Sequence, residues 1–78
     1  MFGWIFSADY YRDECRFVAI ELVTLKRYYG ISKSSAGPKA GDYIAFEAEV
    51  DSPFVSSWRS VNKSEVPPGV ASKSALFS

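Results

Sequence analysis

The 78-residue chain contains no histidine. That excludes Ser-His-Asp and Cys-His catalysis, histidine-ligated metal sites, and the side chain that most often acts as general base near neutral pH. Cys15 is the single cysteine, which excludes an internal disulfide and every multi-cysteine zinc site. The chain therefore has neither of the staples common in small exported domains, and a cytoplasmic, reducing location is expected. Net charge is lacking too: nine Lys and Arg offset nine Asp and Glu, so there is no overall attraction to nucleic acid or anionic membrane. No apolar run approaches the ~18–20 residues of a membrane-spanning helix. The apolar start, Met1 to Phe6, has no basic leader and no long apolar centre, and it does not read as a signal peptide. Without an export signal the sequon Asn62-Lys63-Ser64 is read as incidental.

What is present is apolar and aromatic: 47% of residues are hydrophobic and 17% aromatic. A chain this short buries only about 60% of the surface its unfolded form exposes, so one small domain of marginal stability is expected. Charge is patterned although it cancels. Residues 26–40 hold Lys26, Arg27, Lys33 and Lys39 and no acid, whereas residues 41–51 hold Asp42, Glu47, Glu49 and Asp51 and no base.

The strongest periodicity lies in residues 8–29. Tyr11, Cys15, Val18, Leu22, Leu25 and Tyr29 recur at spacings of 4, 3, 4, 3 and 4, which predicts one apolar stripe on a helix. Ser7 suits an N-cap, Phe6 and Tyr11 suit a hydrophobic staple, and Gly30 suits a left-handed stop. The β-branched Val18, Ile20, Val23 and Thr24 favour a strand instead, but neither alternate set of positions is cleanly apolar, so helix is preferred. Residues 32–41 (SKSSAGPKAG) read as a loop. Tyr43 to Val50 alternates, with Ile44, Phe46, Ala48 and Val50 on one face, and predicts a half-buried strand. Phe54 to Val61 is expected to return as its hairpin partner. The tail after Val61 is polar and turn-rich and ends in the apolar Ala75-Leu76-Phe77. The expected class is thus α+β: one long N-terminal amphipathic helix packed on a small antiparallel β-hairpin, followed by an irregular C-terminal tail. The expected domain covers residues 1–61, and residues 62–78 are expected to be extended or mobile.

Several local motifs point to no chemistry. Ser60-Val61-Asn62-Lys63 fits the Ser-x-x-Lys of penicillin-binding enzymes, without their further motifs. Glu47 and Glu49 share a strand face and are read as solubilising. Gly37 to Gly41 lacks the phosphate-loop spacing. Cys15 falls on the apolar stripe and reads as a core thiol. Tyr28-Tyr29-Gly30-Ile31-Ser32 fits a helix-turn-helix turn, but Gly37-Pro38 would break the second helix. No catalytic residue, metal site, cofactor or small-molecule substrate follows from these residues, and the chain is not expected to be an enzyme.

Two binding functions remain. The first is a non-catalytic protein-interaction module, an accessory subunit or inhibitor of a larger partner or of a second copy. It would act through Trp4, Phe6, Tyr11, Leu22, Tyr29 and Trp58, because interfaces enrich such side chains. The second is single-stranded nucleic-acid binding through Lys26, Arg27, Tyr28, Lys33, Lys39 and Tyr43, with cations on phosphates and rings stacking bases. In this second region Gly30-Ile31-Ser32-Lys33, the Gly/Pro/Lys turn and the Tyr-led strand Tyr43 to Val50 resemble the DNA-binding hairpin of filamentous-phage single-strand DNA-binding proteins. That resemblance implies strand at residues 16–29, against the helical periodicity. It also implies a five-stranded barrel, for which the chain after Gly69 is too short to supply a last strand.

Overall fold

The computed structural model describes residues 1–33 and 37–76, and it holds no helix at residues 8–29. That segment is strand and turn. Strands β1 (Phe2–Tyr11), β2 (Glu14–Glu21), β3 (Arg27–Ser32), β4 (Tyr43–Ala48) and β5 (Val55–Val61) form one antiparallel sheet in the order β3-β2-β1-β4-β5. The sheet curls until its edges meet. Tyr29 and Phe54 form a parallel bridge, and the Tyr29 N–H donates to the Pro53 carbonyl at 2.8 Å. The expected α+β class is therefore corrected to a mostly β, partly closed barrel, complete by Val61.

Turn chemistry explains why the long segment folds back twice. Arg12 (φ 57°) turns β1 into β2, and Leu25 (φ 63°) lies in the turn from β2 to β3. Both sit in the left-handed region that tight hairpins need and that glycine or asparagine usually supplies. The second turn is braced by Glu21, whose buried carboxylate accepts the Thr24 N–H at 2.5 Å and the Thr24 hydroxyl at 2.6 Å. Ser7 caps no helix, and Gly30 is a mid-strand residue rather than a helix stop.

Strand alternation fills the barrel with Ile5, Cys15, Phe17, Ala19, Ile44 and Phe46. Gly30 stands opposite Phe17 in the β2–β3 register, and a Cβ there would lie 2.2 Å from the Phe17 Cζ. Phe17 also meets Trp58 edge-on at 5.5 Å, and Tyr28 leans on Phe46 at 5.1 Å. The expected strand at residues 43–50 is shorter: Ile44 and Phe46 point inward, and Val50 is exposed beyond the strand end. Part of the expected loop, residues 34–36, lies outside the described residues. Its later part is pinned by Tyr10, whose hydroxyl lies 2.6 Å from the Gly37 carbonyl and 2.8 Å from that of Pro38.

The C-terminal segment is not irregular. A 3-10 turn at Lys63–Glu65 leads into α1 (Pro68–Ala71) and a second 3-10 turn at Ser72–Leu76. Val66 and Ala71 pack with Leu22 over Phe2, Trp4, Tyr43 and Val61, which lines a second core on the side of the sheet opposite Ile5 and Ile44. The Tyr43 hydroxyl and Ser74 Oγ share a hydrogen bond of 2.7 Å. Leu76 is exposed and Phe77 lies outside the described residues. No helix among the described residues is long and apolar enough to cross a membrane.

Candidate nucleic-acid interface

Because Tyr28 and Gly30 face the core, alternation turns Arg27, Tyr29 and Ile31 to the outer side of β3. The register then sets Val18 beside Tyr29 and Arg16 beside Ile31, and β1 adds Ser7 next to Val18 and Asp9 next to Arg16. Barrel closure brings Phe54 to the other side of Tyr29, with ring centroids 6.4 Å apart and planes at 53°. Tyr29 is 44% exposed and Phe54 64%, so the pair is an open aromatic surface rather than core. Beside it lies a recess of about 270 Å³ whose lining includes Asp9, Arg16, Val18, Tyr29, Gly30 and Phe54.

A second hollow, about 380 Å³, continues from Arg16 between Tyr11, Arg12, Glu14 and Lys33. The Arg12 guanidinium sits 5.3 Å from the Tyr11 ring centroid. Arg16 borders both hollows, and its Nε donates to Glu14 at 2.7 Å. This is an exposed pair, which contributes little to stability and leaves the guanidinium in contact with solvent. At the far end of β3 the Arg27 guanidinium lies 5.5 Å from the Phe6 ring centroid, and Phe6 meets Trp4 edge-on at 6.3 Å. A bulge between Ile5 and Ser7 inserts Phe6 as an extra residue on this strand. The outer side of β1–β3 thus carries rings and guanidinium groups, with Asp9, Asp13 and Glu14 among them.

The residues expected from sequence separate in space. Of the six assigned to protein contact, Phe6, Tyr11 and Tyr29 lie on this outer side. Leu22 is fully buried, Trp58 packs on Phe17, and Trp4 lies against the C-terminal segment. Of the six assigned to nucleic acid, Arg27 and Lys33 border the strip. Lys26 lies near Glu49 and Asp51 at another hollow, and Lys39 sits in a turn where its N–H donates to Asp42 at 2.9 Å. Tyr28 faces Phe46, and Tyr43 is tied to Ser74. Arg12, Arg16, Ile31 and Phe54 are not among the site residues assigned from sequence. Alternation identifies Arg16 and Ile31 once β2 and β3 are granted, whereas Phe54 joins only through closure of the barrel.

Among the described residues no group of three His, Cys, Asp or Glu is placed to hold a metal ion. No protein-family model, curated protein or solved structure matches the chain.

Proposed function

We propose that this chain binds single-stranded nucleic acid, without catalysis, on the outer side of β1–β3. The observation that carries the reading is the exposed Tyr29–Phe54 pair with arginines on either side of it. Unpaired bases stack on such rings for about 1–3 kcal/mol each, and guanidinium groups add phosphate contact and stacking of their own. In a duplex the base faces that the rings need are covered by stacked neighbours, so a duplex is the poorer ligand. The connectivity is that of the small five-stranded Greek-key barrels whose β2–β3 face takes oligonucleotides or oligosaccharides. That likeness is one of topology, which supports a function without assigning it. The sequence resemblance to filamentous-phage single-strand DNA-binding proteins points the same way, since residues 16–29 are strand and turn and five strands are complete by Val61.

Neutral overall charge limits the electrostatic share of binding. With Arg16, Arg27 and Lys33 on phosphates, the affinity should fall with a log–log salt slope of about −2, from ~0.7 per phosphate neutralised on a single strand. Fluorescence anisotropy with a labelled oligothymidylate at low salt tests the reading. Tyr29→Ala and Phe54→Ala should each weaken binding at least about fivefold, the low end of one stacked base. No binding at low salt, or a double variant that binds like the wild type, would refute it. The interaction-module reading retains Phe6, Tyr11 and Tyr29 at the surface. Self-association that competes with oligonucleotide and is abolished by the same two substitutions would favour it instead.

A further inference from the structure

We infer that the recess beside Tyr29 and Phe54 prefers a guanine base, read at its edge by Asp9 and Arg16. This rests on the single-strand reading of the same face and adds base identity to it. The recess is lined by the apolar Val18 and Ile31, the aromatic Tyr29 and Phe54, and two charged residues. Those two are Asp9 of β1 and Arg16 of β2, direct cross-strand partners. A base on the rings thus shares the recess with a carboxylate and a guanidinium from neighbouring strands. A carboxylate only accepts hydrogen bonds and a guanidinium only donates them.

Guanine is the one base whose edge sets two adjacent donors beside an acceptor, so it makes the most hydrogen bonds to that pair. Its N1–H and N2 amino group are adjacent donors, spaced for the two oxygens of a carboxylate, and its O6 is an acceptor for the guanidinium. Adenine and cytosine offer one amino donor beside an acceptor nitrogen, which gives one bond to the carboxylate where guanine gives two. Thymine and uracil offer a single N–H between two carbonyl oxygens. Arg16 is anchored to Glu14 through Nε rather than to Asp9, so the Asp9 carboxylate is not committed to its neighbour. On a surface that served phosphates alone, a carboxylate at this position would only repel the ligand. Reading a donor edge gives it a role.

The test is competition against a labelled oligothymidylate. The competitors are heptamers of thymidine with a central guanine, inosine, adenine or cytosine, too poor in guanine to form quadruplexes. The guanine heptamer should compete about tenfold better than plain thymidine, as one bidentate contact allows. Inosine, which lacks the N2 amino group, should fall between them. Asp9→Asn should compress the ranking of the four competitors to within about twofold. Asp9→Ala checks that the change does not come from the new amide, and a melting curve checks that both variants fold. Binding with no preference for guanine, or a preference that survives both substitutions, overturns the inference and leaves the single-strand reading standing. No binding by any heptamer defeats that reading, and this inference with it.

Discussion

Gly30→Ala is the most direct test of the architecture that creates the recess. A Cβ at position 30 would lie 2.2, 2.5 and 2.7 Å from three carbons of the Phe17 ring. Carbon atoms rest at about 3.5–4.0 Å, so the ring would have to withdraw by more than ~1 Å. Phe17 is 2% exposed and already packed edge-on against Trp58, which leaves it nowhere to go. Overpacking of this kind costs about 1–3 kcal/mol, reduced by the ~0.4–1 kcal/mol that alanine saves in unfolded-state entropy. The total stability of a chain this size is roughly 4–12 kcal/mol, at ~0.05–0.15 kcal/mol per residue. The net loss should lower the melting temperature by about 4–8 °C per kcal/mol. Circular dichroism in urea and on heating measures it. The decisive arm is the double variant: Phe17→Leu makes room, so the two changes should couple by more than ~0.5 kcal/mol. In a continuous helix residues 17 and 30 would stand about 20 Å apart at ~1.5 Å per residue, with no reason to couple. Additive losses would refute the cross-strand pairing, and with it the placement of Tyr29 on the outer side.

Two further outcomes follow from buried groups. Burial pushes the Glu21 carboxyl up, but hydrogen bonds from the Thr24 hydroxyl and N–H and from the Val23 N–H outweigh it and hold the group below its ordinary value. A depressed folded value stabilises the fold above the unfolded carboxyl pKa of about 4.3, and the contribution is lost as pH falls through the folded value. Glu21→Gln should therefore cost ~1–2 kcal/mol at neutral pH and flatten the loss of stability in acid. Urea midpoints measured from pH 7 to pH 3 check this, and identical profiles for the two proteins would refute it. Burial also raises the pKa of the Cys15 thiol, more than the nearby Tyr10 hydroxyl lowers it. An aromatic disulfide reagent should thus label Cys15 only as fast as the chain unfolds, with a rate that climbs with urea. Prompt stoichiometric labelling in native buffer would contradict the buried position.

Composition alone excluded histidine chemistry and disulfide staples, because no arrangement of the chain can supply a missing side chain. The strand at Tyr43–Ala48 was legible as well, since Ile44 and Phe46 point inward and alternate with the less buried Tyr43, Ala45 and Glu47. Residues 8–29 were not, for two physical reasons. Ile20 lies opposite Trp4 and is buried, and Leu22 is buried against Val66 and Ala71. The C-terminal end of β2 is therefore covered on both sides, and the period of two disappears there. The turns rest on Arg12 and Leu25 at positive φ, residue types that carry no turn signal. Joined end to end, the end of β1, all of β2, the start of β3 and two such turns imitate a helical stripe. The candidate site was hidden for a related reason. Its cations belong to local sequence, but Tyr29 meets Phe54 across 25 residues, and Asp9 meets Arg16 only through the β1–β2 register. Local sequence set which side chains were on offer, and only closure of the sheet decided which of them stand together, because that closure depends on contacts far apart along the chain.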